Sequence, residues 1–303
     1  MKNMRTIALI VVFAAFFGTT LNAQDRNEVI KYYNDGAKAM QTDIPAAITA
    51  FETVITLSDQ VGESVNDLKQ KAVQVLPGLY YKLAAAAYNE KKPATEIIAA
   101  SKTSYAMAEK YGSATYKDNS NKILVNGYYK MATEFFSAND YENAMLAFDS
   151  VLTLNPNHIA SIYNKALIYK NQDNADAFEE TIDLFLTKLD PEKDADKALQ
   201  AKGVALEYFR SAGSKANAAN KLDEALALLN RAAKYGDDKT LFYFFADVYN
   251  KKNNFSSGAE YAQKGLDLET GDAEAKAMFY YQLAVAQAGK GETSAACASF
   301  RNA

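Results

Sequence analysis

At 303 residues, 49% of them hydrophobic, the chain has enough apolar side chain for a large core, and only 5 prolines and 14 glycines interrupt it, which suits a mainly helical protein. Its 33 basic and 37 acidic residues give a net charge of −4, and the basic ones are not grouped as phosphate neutralisation requires, which excludes nucleic acid from the expected partners. One cysteine and one histidine exclude a disulfide framework and the usual zinc site.

Residues 1–23 read as a secretory signal. Lys2 and Arg5 precede an apolar run from Ile7 to Gly18, and Leu21-Asn22-Ala23 places a small residue before Gln24. Read instead as an uncleaved anchor, Ile7 to Ala23 is slightly short of the roughly 20 residues a membrane span needs. No cysteine stands near the cleavage point to carry a lipid, so the expectation is a periplasmic or secreted chain over 24–303 without a transmembrane span. Loss of Lys2 and Arg5 takes the basic count from 33 to 31 against 37 acids, a charge of −6.

Beyond the signal an aromatic pair recurs as Tyr32-Tyr33, Tyr80-Tyr81, Tyr128-Tyr129, Ile162-Tyr163, Phe242-Tyr243 and Tyr280-Tyr281, with Phe209-Arg210 as a divergent member. The successive offsets are 48, 48, 34, 47, 33 and 38 residues. They predict about seven helix pairs, some with the first helix extended backwards, because 14 extra residues are nearly four turns at roughly 3.6 residues each.

In the first pair Tyr32, Gly36 and Met40 face Ala47, Phe51 and Val54, and Asp43 with Pro45 starts the second helix. A long helical pattern from Ser64 to Glu90 carries Pro77-Gly78, where a kink or break is expected. Lys91-Lys92-Pro93 makes a turn, Thr95 to Tyr111 the partner helix, and Gly112 its C-cap. Thr115 to Phe136 leads into the third pair, with Asn121 as a candidate helix start. Ile159 to Asp190 places Ala166 and Tyr169 against Ala177, Ile182 and Phe185. Asp194 to Ala218 is an extended first helix with Phe209 and Gly213, answered by Leu222, Ala225, Leu229 and Ala232 and closed by Gly236. Residues 239–272 supply Phe242, Ala246 and Tyr249, then Phe255, Gly258, Ala262, Gly265 and Leu268. The last pair shows Tyr280, Leu283 and Ala284, then Ala296 and Phe300.

The clearest pair runs from Val125 to His158. Tyr128, Met131, Ala132 and Phe135 form one stripe, and Tyr141, Ala144, Phe148, Val151 and Leu154 the other, with small Ala132 and Ala144 where the helices cross. Asn139-Asp140 breaks the first helix and caps the second, and Asn155-Pro156 stops it. This stretch resembles a tetratricopeptide repeat. The resemblance implies an all-α solenoid of antiparallel helix pairs forming a right-handed superhelix, which acts as a partner-binding scaffold. No polar helix shields the final apolar face, so self-association through the C-terminal repeat is also expected.

A catalytic set is not legible. His158 follows Pro156-Asn157 in a turn and reads as a solvated loop residue; Cys297, in Ala295-Ala296-Cys297-Ala298, reads as a buried structural thiol. Asp173 to Asp176 and Asp190 to Asp196 lack calcium-loop spacing and read as helix caps, and Gly289-Lys290-Gly291-Glu292 as a turn. No enzyme activity, cofactor or metal is expected.

In the resembled family, positions 2, 5, 9 and 12 of each first helix line a concave groove. Position 5 here is Tyr33, Tyr81, Tyr129, Tyr163, Tyr243 and Tyr281, with Asn126, Phe136, Lys170, Arg210 and Asn250 beside it. One reading is a tyrosine ladder holding a protein or peptide of the bacterial cell envelope. Another packs these rings between adjacent first helices, and a third stacks them on the sugars of a glycan or peptidoglycan. The family's clamp for terminal carboxylates has only Asn164 as a good match and is not expected.

Overall fold

The computed structural model describes residues 21–303. The signal read over 1–23 therefore falls, up to residue 20, outside the described residues. Among the described residues there are fourteen α-helices, one 3₁₀ turn and no strand. None of these helices is long and apolar enough to cross a membrane.

Two compact units divide the chain after Asn155. The first holds α1 (Leu21–Ala39), α2 (Ile44–Val61), the 3₁₀ turn Glu63–Val65, α3 (Asn66–Asn89), α4 (Ala94–Lys110), α5 (Ala114–Ser137) and α6 (Tyr141–Leu154). The second holds α7 (Ile159–Asn171), α8 (Ala175–Lys188), α9 (Ala195–Ala218), α10 (Leu222–Ala233), α11 (Lys239–Lys251), α12 (Phe255–Leu268), α13 (Ala273–Gly289) and α14 (Thr293–Asn302). Within each unit a helix packs chiefly on the helices one and two places along the chain.

The pairs close on one recurring feature. At the eighth position of each first helix stands a small buried residue, Gly36, Ala84 and Ala132 in the first unit and Ala166, Gly213, Ala246 and Ala284 in the second. A small residue at the crossing lets a large one from the facing helix settle against the backbone. Thus a Cβ on Gly36 would lie 3.1 Å from the Phe51 ring, and one on Gly213 would lie 2.8 Å from Leu229. Phe51, Phe148 and Leu229 are accordingly among the most buried side chains.

Short polar residues set the ends of the helices. Asp43 accepts a hydrogen bond from Ala46 N at 3.0 Å and Asp140 from Asn143 N at 3.2 Å, and Asn174, Asp238, Asn254 and Asp272 cap later helices in the same way. Four of the turns within pairs place Asn139, Asp173, Asn220 and Asn253 at φ of 56–59°, which short polar side chains tolerate best after glycine. The backward extension is also present, since α3, α5 and α9 are 24 residues long against 13 for α7 and α11.

Four expectations are corrected. Pro77 does not break α3, because it lies buried in a helix whose Ala72, Leu76 and Leu79 are core residues, and their packing outweighs the lost hydrogen bond. Asn121 starts nothing and sits inside α5. In the fourth pair the buried residue of α8 is Phe178, at 0% exposure, and not Ala177. Cys297 is exposed. Its neighbour Ala296 takes the inward direction, since one residue along a helix turns the side chain by about 100°.

The turn between α12 and α13 depends on one carboxylate. Glu269 is 6% exposed, pairs with Lys239 of α11, and accepts hydrogen bonds from Asp272 N at 3.1 Å and Gly271 N at 3.3 Å. These partners hold its pKa down at about 2, against 4.5 for an unconstrained glutamate. The depressed value means a contribution fully present above pH 4.5 and lost as the pH falls towards 2. Denaturant unfolding across that range is expected to show a smaller loss of stability for Glu269→Gln than for the native chain; parallel curves would refute the assignment.

Candidate partner-binding surface

In the first unit each stripe tyrosine is half-buried and leans on an aromatic ring. Tyr33 of α1 meets Phe51 of α2 edge-on at 5.7 Å, Tyr81 of α3 tilts on Tyr116 of α5 at 5.6 Å, and Tyr129 of α5 on Phe148 of α6 at 6.1 Å. Asn126 is half-buried, and Phe136 packs on Tyr141 at 5.9 Å near the turn. These rings are neither open nor part of the closed core. One face packs while the remainder stays accessible, which lies between the two packing expectations.

The second unit repeats the arrangement beside hollows. Tyr163 of α7 packs on Phe185 of α8 at 5.0 Å, its phenol pushed up from the ordinary range by burial, and lines a hollow of 210 Å³ with Lys197 and Gln200. Tyr243 of α11 meets Phe279 of α13 edge-on at 6.1 Å and lines a hollow of 110 Å³. Tyr281 of α13, 52% exposed, meets Phe300 of α14 at 6.1 Å beside a hollow of 470 Å³ that Tyr243 also borders.

Two predicted members of the stripe are already engaged within the chain. Asn250 is 6% exposed, and its Nδ2 donates to the backbone oxygen of Gln282 at 2.9 Å and to its Oε1 at 3.0 Å. It fastens α11 to α13 and is not a groove residue, because the last turn of α11 is covered by the next pair. Arg210 extends its guanidinium to Glu207 on its own helix and to Asp238, the residue that caps α11. Only 17% of its side chain is exposed, so its charge is neutralised internally. Asn217, Asp247 and Lys251 continue the fastening between α9 and α11, with Asn217 Nδ2 donating to Asp247 at 2.6 Å and Lys251 Nζ to Asn217 at 3.0 Å.

Lys170 does line a concave surface, though a different one. A groove of about 720 Å³ lies among the end of α7, the length of α9 and the face of α10, bordered by Lys170, Gly203, Val204, Tyr208, Lys215 and Leu228. Its origin is Phe178. That ring occupies the place held by Ala144, Ala225, Gly258 and Ala296 in other second helices, and it packs on Tyr208 at 4.9 Å and Phe209 at 5.8 Å. A phenyl ring where a methyl or hydrogen is usual holds α9 away from the preceding pair. The helices α3 and α5, and α11 and α13, pack directly, whereas α7 and α9 approach only loosely.

Tyr208, Lys215 and Gly203 were not singled out from the sequence. The available signal was Gly203 itself, an exposed glycine inside a helix with no turn to make. His158 is also corrected: it is half-buried and caps α7, its Nδ1 accepting from Ser161 N at 3.3 Å, and burial pushes its pKa below the ordinary range. Among the described residues no cluster of His, Cys, Asp and Glu is arranged to hold a metal.

Helix pairs that cross on a small residue and stack on their neighbours within a unit define an α-helical repeat protein. The chain is a tetratricopeptide-repeat protein, with residues 125–158 matching the profile of the tetratricopeptide repeat. No curated protein matches the sequence. Among solved structures, the crystal structure of MamA shares 18% identity over 59% of this chain and 88% of its own, with a TM-score of 0.35. YrrB, described as a TPR protein with an unusual peptide-binding site, shares 16% over 58% and 82%, at 0.33. A tetratricopeptide repeat protein from Parabacteroides merdae shares 12% over 87% and 99%, at 0.24. Scaffolds of this repeat type commonly mediate protein–protein interaction and are typically non-catalytic.

Proposed function

We propose that the chain is a non-catalytic scaffold that takes a protein or peptide partner of the bacterial cell envelope on the tyrosine-bearing face of its first helices. The observation that carries this reading is the set Tyr163, Tyr243 and Tyr281, rings fixed on one side and bordering hollows of 210, 110 and 470 Å³. A ring held in place loses little entropy on binding and offers both apolar area and a hydroxyl. The secretory reading of residues 1–23 supports a periplasmic or secreted location. Met278, Tyr281 and Phe300, each about half exposed, support self-association through the last pair.

The test begins with cross-linking in envelope extract, identification of the captured protein and titration of the purified pair. Tyr163→Ala and Tyr243→Ala are each expected to weaken that complex by at least about 1 kcal/mol while the helical signal is unchanged, and Tyr281→Ala to reduce self-association in sedimentation. Equal affinities in all variants, or binding to a glycan array in place of any protein, would overturn the reading.

A further inference from the structure

We propose that the groove among α7, α9 and α10 docks a short acidic amphipathic segment of the partner, with apolar side chains on α9 and carboxylates against Lys170 and Lys215. This rests on the scaffold reading above and places one of its contacts. The floor is a lane along α9 made of Gly203, Val204, Ala212 and Ala216, over which another backbone can approach closely. Gly203 is exposed in mid-helix, and a Cβ added there meets nothing within 4 Å. Glycine in such a place weakens a helix, and no contact of this chain requires it, so the space it leaves is available to something outside the chain.

Charge selects the occupant. The groove's acids are already engaged: Glu207 pairs with Arg210, Asp173 accepts from Tyr208 Oη at 2.9 Å, and Glu224 pairs with Lys221 at 3.2 Å. Lys170 and Lys215 have no ion pair among the described residues. The groove therefore presents two uncompensated ammonium groups beside an apolar floor, which is complementary to carboxylates on an apolar segment. From Gly203 to Ala219 the lane is about 24 Å long at roughly 1.5 Å per helical residue, the span of about 16 residues of a docked helix.

The probes are three synthetic peptides of that length with leucine on one face and Glu, Gln or Lys on the other, titrated onto the full chain by fluorescence anisotropy. The Glu peptide is expected to bind at least about tenfold tighter than the Lys peptide, with an advantage that shrinks as salt rises. Reversing both charges, Lys170→Glu with Lys215→Glu, is expected to invert that order, and Gly203→Leu, which fills open space on an intact helix, to abolish binding. Equal binding of the Glu and Lys peptides, or Glu-peptide binding that survives Gly203→Leu, overturns the proposal. The two readings separate on the captured partner: loss of its binding in the tyrosine variants but not in the groove variants sinks this inference alone, and loss in neither sinks both.

Discussion

Phe178→Ala is expected to lower the unfolding free energy of the second unit by about 3–5 kcal/mol, the usual cost of emptying a fully buried aromatic site. The ring is at 0% exposure and touches Tyr208 at 4.9 Å and Phe209 at 5.8 Å, so its loss leaves both of those rings facing a void. Denaturant unfolding at equilibrium reads the change. A second consequence follows from the ring's position. Alanine is the residue that other second helices carry there, so α9 can settle towards α7 and narrow the groove. A loss below about 1 kcal/mol would mean that Phe178 does not hold the two pairs apart.

Arg231→Ala is expected to cost about 2 kcal/mol by leaving polar partners unmatched in a partly buried setting. From α10 the guanidinium reaches back to α8: Nε donates to Glu179 at 2.7 Å, Nη2 to the Ala175 oxygen at 2.8 Å, and Nη1 lies 3.0 Å from Asp176. The group also lies over the Phe209 ring at 4.3 Å. The side chain is 24% exposed and Glu179 21%, which reduces the effect below that of a dry ion pair. Lys234, at 3.2 Å from Glu179, retains part of the network. Arg231→Lys keeps the charge but loses the planar fork, so it is expected to recover only part of the loss in denaturant unfolding. Full recovery by lysine would show that charge alone joins α8 to α10.

Local chemistry made most of the architecture readable in advance. A small residue where two helices cross, an aspartate or asparagine before each second helix, and an extension by whole turns all leave a mark in the sequence, and Gly36, Asp140 and α9 stand as read. What escaped was set by phase and spacing. The run Ala295-Ala296-Cys297-Ala298 has no contrast between large and small, so nothing fixes which side faces inward, and Cys297 was placed on the wrong one. Asn250 keeps the family spacing of a groove residue, but whether the next pair covers it depends on Gln282, 32 residues on. The α9 groove depends on a single bulky ring, Phe178, which periodicity treats as one more apolar residue. Repeat spacing indicates which residues point towards a neighbour; it does not give the distance to that neighbour.

Since a helix in either unit rests mainly on those one and two places along the chain, native contacts connect segments that are never far apart in the sequence. Little entropy is lost in finding such contacts, and no distant strand has to be awaited. A nascent or threaded chain of this kind can acquire its final packing progressively, each hairpin settling on the one already formed before the remainder has emerged.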